Sequence, residues 1–231
     1  TLDTIGPLAR DVRSAAAALE MMTNCDGLVP NAVRSVDDFA LAIPVSPWLR
    51  ALDAQSRAVW QRISRGLPEI QLPDRARLTE VANTILFFEA FEHHRRWIDE
   101  HSSSYSPDVL ASLRRGENIS QSDYERAIAE QLLLRDQMEK AMDGVDAVLV
   151  PGSAIVSPPV TANSLEIREP LTCFTRPFNT TGQPVFCLPY PVDGLPVGIQ
   201  VVGHFAADAR LVEVASAIEN AWRMTAANLN A

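Results

Sequence analysis

Lysine is almost missing from this chain. Of 20 basic residues only Lys140 is a lysine, and it stands among Asp136, Glu139 and Asp143. That setting predicts a solvated partner for carboxylates, not a base, which needs a depressed pKa and an adjacent nucleophile. Cysteine is scarce as well. Cys25, Cys173 and Cys187 are odd in number, widely spaced and set among apolar residues. No disulfide framework is implied, and buried reduced thiols in a cytosolic protein are expected. Positive charge is in deficit, with a net charge of −9, which argues against a nucleic-acid or anionic-membrane surface. No apolar run approaches the ~18 residues that span a bilayer; the run 145–150 has the length of a strand.

The short patterns of several catalytic classes are also missing. Gly152-Ser153 follows a strand-like run, but the Gly-x-Ser-x-Gly elbow does not occur around it. His93, His94 and His101 stand near Glu92, Asp99 and Glu100 without a His-Glu-x-x-His or cysteine-based spacing. No metal or other cofactor is expected. Ser102-Ser103-Ser104 lacks flanking glycines and lies between charged helical stretches, as a solvated loop would. His204 stands alone after a strand, where it could line a cleft.

What is present is ordinary for a folded domain: 231 residues, 47% hydrophobic and 21% charged. A single domain of this length buries roughly 70% of its unfolded surface. Residues 11–24 have helical apolar spacing behind Asp11, a capping residue. The run 39–43, ended by Pro44, reads as a buried strand. Asp53 opens a helix stopped by Gly66 and Pro68.

The middle, 79–143, reads as almost wholly helical. A helix over 80–100 is broken by the polar tract 101–106, and Pro107 suits the first turn of the next. A long helix runs from Ser120 to Met142. We expect this region to be a helical insertion within a single domain spanning 1–231.

The last third changes to strands at 146–150, 185–190 and 197–202, with 152–169 read as loop. Asp193-Gly194 between the last two signals a hairpin, and Asp208 caps a final helix. Alternating strands and helices give an α/β class, a mixed sheet flanked by helices.

Three blocks carry a family resemblance. The first is Asp3-Thr4-Ile5-Gly6-Pro7-Leu8-Ala9-Arg10, followed by the Ala-rich helix. The second joins Gly116-Glu117-Asn118-Ile119-Ser120 through the long helix to Asp146-Ala147-Val148-Leu149-Val150-Pro151. The third holds Thr175-Arg176-Pro177-Phe178-Asn179, Gly182-Gln183-Pro184 and Gly194-Leu195-Pro196-Val197-Gly198-Ile199-Gln200-Val201-Val202-Gly203. In this order and spacing the chain resembles the C-terminal portion of the amidase signature family. With no initiator Met and the first block at its start, the sheet is expected to be incomplete at the N-terminus.

The resemblance implies amide hydrolysis by a serine, a second serine in a cis peptide and a lysine, with Gly-rich backbone donors for the oxyanion. Those residues would lie upstream, no catalytic residue is assigned here, and the chain alone should be inactive. The substrate would be a small-molecule amide, and the other partner the N-terminal part of the same protein. Phe174, Thr175, Phe178 and Asn179, with the loop 152–160, are the residues expected to line the substrate pocket.

Independently of the family, Gly182 should end a short helix and Pro184 prevent its continuation. Gly198 within a strand implies close approach of another backbone or a ligand. Asn179 and Thr175 could instead simply tie the helix end to neighbouring backbone. Transfer-RNA-dependent amidotransferase subunits of the family usually carry an acid at the position of Thr172, so the resemblance favours a stand-alone amidase. The alternatives are a non-catalytic scaffold and the amidotransferase subunit.

Overall fold

Asp11 begins the first helix by a local bond: its carboxylate accepts from the Ser14 amide at 2.7 Å, and α1 runs over Val12–Thr23. The computed structural model describes residues 1–32, 34–161, 164–192 and 194–229. Asp193, half of the expected turn, lies outside the described residues. Strand β1 (Leu41–Pro44) is buried at every position. Asp53 caps α2 (Ala54–Ile63) through the Ser56 amide at 2.7 Å. A two-residue strand, β2 (Glu69–Ile70), follows.

Helix α3 spans Arg75–His101 and starts earlier than its apolar spacing suggests, because Asp74 accepts from the Arg77 amide at 2.8 Å. Pro107 opens α4 (Pro107–Leu113). Ser120 and Asp123 form a reciprocal capping box at the start of α5 (Gln121–Ala141). Strand β3 (Ala147–Pro151) is buried throughout.

The stretch expected to be loop up to residue 169 holds a helix, α6 (Ser164–Thr172), with Pro170 inside it. Helix α7 (Arg176–Thr181) then ends at Gly182, whose φ of 78° is the left-handed cap expected there. Strands β4 (Val185–Tyr190) and β5 (Val197–Val202) pair antiparallel as the expected hairpin. The last helix, α8, spans Asp208–Leu229, with Asp208 as its first residue.

The five strands form one mixed sheet in the order β2-β1-β3-β5-β4. β2, β1 and β3 are parallel, while β5 runs antiparallel to both β3 and β4. Helix α8 packs on β4, β5 and α1, and α3 packs on α5 and α7. Leu78, Val81 and Ile85 of α3 and Leu134 and Met138 of α5 share one buried cluster with the sheet. Each such side chain contributes about 1.5–3 kcal/mol on burial.

Asp146 ties the start of β3 to its neighbours. It accepts from the Ala40 amide at 2.8 Å and from Arg210 Nε at 2.9 Å. Burial raises its carboxyl pKa, but these bonds and the Arg210 charge outweigh burial and hold it below the ordinary carboxylate value.

Candidate functional site

Strand β4 has a partner on one side only, since it is the last strand of the sheet. Along it runs a groove of about 720 Å³. The extended stretch 4–11 and the first turns of α1 form one wall, and α7 with residues 182–189 forms the other. Gln200 from β5 closes the floor, and residues 205–212 close one end.

The α7 wall is held by backbone acceptors. The Thr180 hydroxyl donates to the Leu78 and Arg176 carbonyls at 3.1 and 2.9 Å. The Thr181 hydroxyl donates to the Pro177 carbonyl at 3.0 Å. Arg135 Nε donates to the Thr181 carbonyl at 2.7 Å, satisfying the helix end, while its guanidinium lies 4.4 Å over the Phe205 ring. The left-handed backbone at Gly182, φ 78°, selects glycine there, and the Arg135 and Phe205 side chains pack over it.

Three of the four residues expected on the pocket stand on this groove: Thr175, Phe178 and Asn179. Phe178 is nearly buried, its ring 6.0 Å from that of Trp48. The Thr175 hydroxyl is spent on the Thr172 carbonyl at 3.1 Å. Asn179 is exposed, and its side chain has no hydrogen-bond partner among the described residues. Of the two alternatives for this pair, local tying therefore describes Thr175 and not Asn179.

Phe174 departs from the expectation. Its side chain is fully buried and off the groove, with the Arg75 guanidinium 5.2 Å from its ring. Its carbonyl accepts from Gln200 Nε2 at 2.8 Å, and the same nitrogen donates to the Pro151 carbonyl at 2.9 Å. Gln200 thus pins the turn before α7 to the end of β3. Spacing alone could not separate Gln200 from the apolar residues around it, although a lone amide in a strand of valines is the available signal.

The loop 152–160 also stays off the groove. The Ser153 hydroxyl donates to the Ile155 carbonyl at 2.6 Å, and Ala154 bonds Pro170 and Asp53 through its backbone. Gly152 donates to the Gly198 carbonyl at 2.7 Å, and the close backbone approach is felt at Gly152, where a Cβ would meet that carbonyl at 2.9 Å; at Gly198 a Cβ would meet only the Cys187 sulfur, at 3.1 Å. Cys187 is exposed as a residue, yet its sulfur packs near both glycines, and burial pushes its thiol up. A thiol held protonated is a poor nucleophile. His204 does not line the groove; it faces Glu139 and Val145.

Lys140 is exposed and pairs with Asp136 at 2.6 Å. His93 and His94 pack edge-on against Trp97, and His94 Nδ1 meets the Tyr105 hydroxyl at 2.9 Å. Among the described residues no cluster of three His, Cys, Asp or Glu side chains could hold a metal ion. None of their helices is long and apolar enough to cross a membrane. The groove offers a free amide, apolar walls and a strand edge, which suit binding and positioning. Neither Thr175 nor Cys187 beside it is placed to attack a carbonyl.

The Amidase family model matches residues 63–212. The chain is 23% identical over 267 residues to a glutamyl-tRNA(Gln) amidotransferase subunit of Thermotoga maritima, covering 95% of this chain and 55% of that protein. A solved amidase structure superposes with a TM-score of 0.83 at 28% identity, over 94% of this chain and 52% of that one. A bacterial aryl acylamidase of the amidase signature family superposes with a TM-score of 0.62 at 19% identity, over 95% and 53%. The chain spans about half the length of the curated relatives it matches.

Proposed function

The chain belongs to the amidase family, and from that premise we propose that it is the C-terminal portion of a hydrolase that cleaves carboxamide C–N bonds. The serine nucleophile, second serine, lysine and oxyanion donors belong to a part of the parent protein outside this chain. Ser is a weak nucleophile until a neighbouring base takes its proton, and Lys140 is occupied by Asp136 on an exposed helix face. This chain's share is the acyl-side wall: Asn179 and Thr175 with the apolar surface of Phe178. Three free cysteines fit a reducing, cytoplasmic setting.

The observation that carries this reading is the groove on the uncovered edge of β4, with an unpartnered Asn179 on its wall. An open strand edge beside apolar surface invites another strand. The occupant we assign is the remainder of the same protein, whose relatives are about twice this length. Apart from it, Leu8 and Ile5 stand almost fully exposed beside the groove, so the chain alone should self-associate.

A second reading, a glutamine-dependent amidotransferase, is supported by the relatives of that name. Thr172 speaks against it, because its hydroxyl is spent on the Arg168 carbonyl at 2.8 Å and no acid stands there. The deciding experiment assays the full-length parent and this chain on aryl anilides, aliphatic carboxamides and glutamine. Turnover of a small amide by the parent and none by the chain is the expected result. Turnover by the chain alone refutes the upstream nucleophile, and glutaminase activity alone shifts the reading to the second.

A further inference from the structure

One end of the groove is fastened by a cluster that the family reading leaves unused. Glu139, near the end of α5, accepts at Oε1 from the Phe205 amide at 2.8 Å and from Gln183 Nε2 at 2.9 Å. Its Oε2 meets His204 Nδ1 at 2.8 Å. The other ring nitrogen, Nε2, meets the Val145 carbonyl at 2.8 Å. Three stretches remote in sequence, 139–145, 183 and 204–205, thus converge on one carboxylate and one ring.

The proton count follows from the acceptors. A backbone carbonyl can only accept, so Nε2 must carry a proton, and the proton between Nδ1 and Glu139 Oε2 goes to the nitrogen because imidazole is a stronger base than a carboxylate. A neutral imidazole has one N–H, so one contact would set lone pair against lone pair. Both contacts are satisfied only when both ring nitrogens carry protons. Ala206, next to Phe205, holds a φ of 59°, a left-handed conformation that L side chains avoid, so its turn needs fastening. Gly182, Gln183, Phe205 and Ala206 all line the groove.

We infer that His204 stands as an imidazolium in this arrangement and, with Glu139, forms a pH-gated latch that fixes the groove's end. Residues 182–184 and 205–206 are held against α5 while the latch is closed and loosen together when it opens.

Four further charged groups belong to the surroundings. Asp143 follows α5 and favours the cation. Arg135 lies over Phe205 with its Nε on the Thr181 carbonyl, Lys140 is held by Asp136, and Asp208 opens α8. Burial is the largest single influence on His204 and lowers its pKa. It is outweighed by the Glu139 and Val145 bonds and the charges of Glu139 and Asp143, so the pKa is raised above 6.5. For Glu139 burial raises the pKa, and the Phe205, Gln183 and His204 bonds outweigh it, leaving the pKa below 4.5.

The signs define the window. The His204 contribution is complete below pH 6.5 and fades as pH rises through its raised folded value. The Glu139 contribution is complete above pH 4.5 and fades as pH falls through its lowered one. The latch is closed between these limits.

The test is a proton–nitrogen NMR titration of the full-length protein uniformly labelled with nitrogen-15. His204 should show both nitrogens protonated below pH 6.5 and titrate above it. The Phe205 amide should follow the same midpoint, with faster hydrogen exchange at residues 203–206 above it. Glu139→Gln should bring the His204 midpoint down. A His204 that titrates at or below 6.5, or a Phe205 amide indifferent to its titration, overturns the inference. The wild-type titration decides even if the variant fails to fold. None of these readouts uses turnover, so their failure leaves the hydrolase reading standing, and the failure of that reading leaves the latch standing.

Discussion

Strands β3 and β4 are built from similar residues and live in different surroundings. β3, Ala147–Pro151, is buried at all five positions between β1 and β5. β4, Val185–Tyr190, is the edge strand, where only Leu188 is fully buried and Val185, Cys187 and Pro189 are exposed. An apolar run therefore states that a strand will be covered without stating by what. For β3 the cover is this chain; for β4 we assign it to the remainder of the parent protein.

The largest expected effect breaks that contrast directly. Val150→Asp places a charge at a position with 0% exposure and should cost about 4 kcal/mol or more, enough to unfold a marginal domain. Val185→Asp sits at a position 36% exposed and should leave the chain's own stability within about 0.5 kcal/mol. If the remainder of the parent protein pairs with β4 as proposed, the same change in the full-length protein should lower its stability and activity. Denaturant midpoints of the two variants, in the chain and in the parent, check all of this. Equal costs at both positions in the chain alone would mean that β4 is already covered.

A smaller effect tests how β3 and β4 are joined through β5. Gln200 uses one amide nitrogen on two carbonyls, those of Pro151 and Phe174. Gln200→Leu fills the same space and removes the donor. Losing the partner of a buried carbonyl costs about 1–3 kcal/mol, measurable as a lower denaturant midpoint with an unchanged slope. In the parent protein the loss should appear as weaker substrate binding, since the released turn carries Thr175 and leads to Asn179. A stability loss with unchanged KM would confine Gln200 to a packing role.

The elements legible in the sequence are those with local causes. The caps at Asp11 and Asp53, the glycine stop at 182 and the hairpin all rest on residues within a few positions of one another. β2 was illegible because two residues, one exposed and one half-buried, carry no period. α6 was illegible because Pro170 gives it the look of a loop; a helix interior rarely tolerates the missing N–H. The groove joins stretches around residues 8, 179, 200 and 205, and no spacing rule links positions so remote. The four site residues were found through a family motif, and the motif could not say that Phe174 points away from the groove.

The smallest expected effect concerns the one lysine. Lys140 pairs with Asp136 at 2.6 Å one turn earlier on α5, with 74% and 61% of the two side chains exposed. Such i,i+4 pairs contribute at most about 0.5 kcal/mol. Lys140→Ala should therefore leave the denaturant midpoint nearly unchanged and leave the parent protein's kcat/KM within about twofold, well under the ~10-fold that 1.36 kcal/mol represents. The value of so small an effect lies in what its opposite would mean. The proposed serine mechanism uses a lysine to carry the proton, and this chain has a single one. If Lys140→Ala removed turnover while the fold survived, the proton carrier would lie on α5 within this chain. The contrast between a chain that binds and a remainder that reacts would then fall.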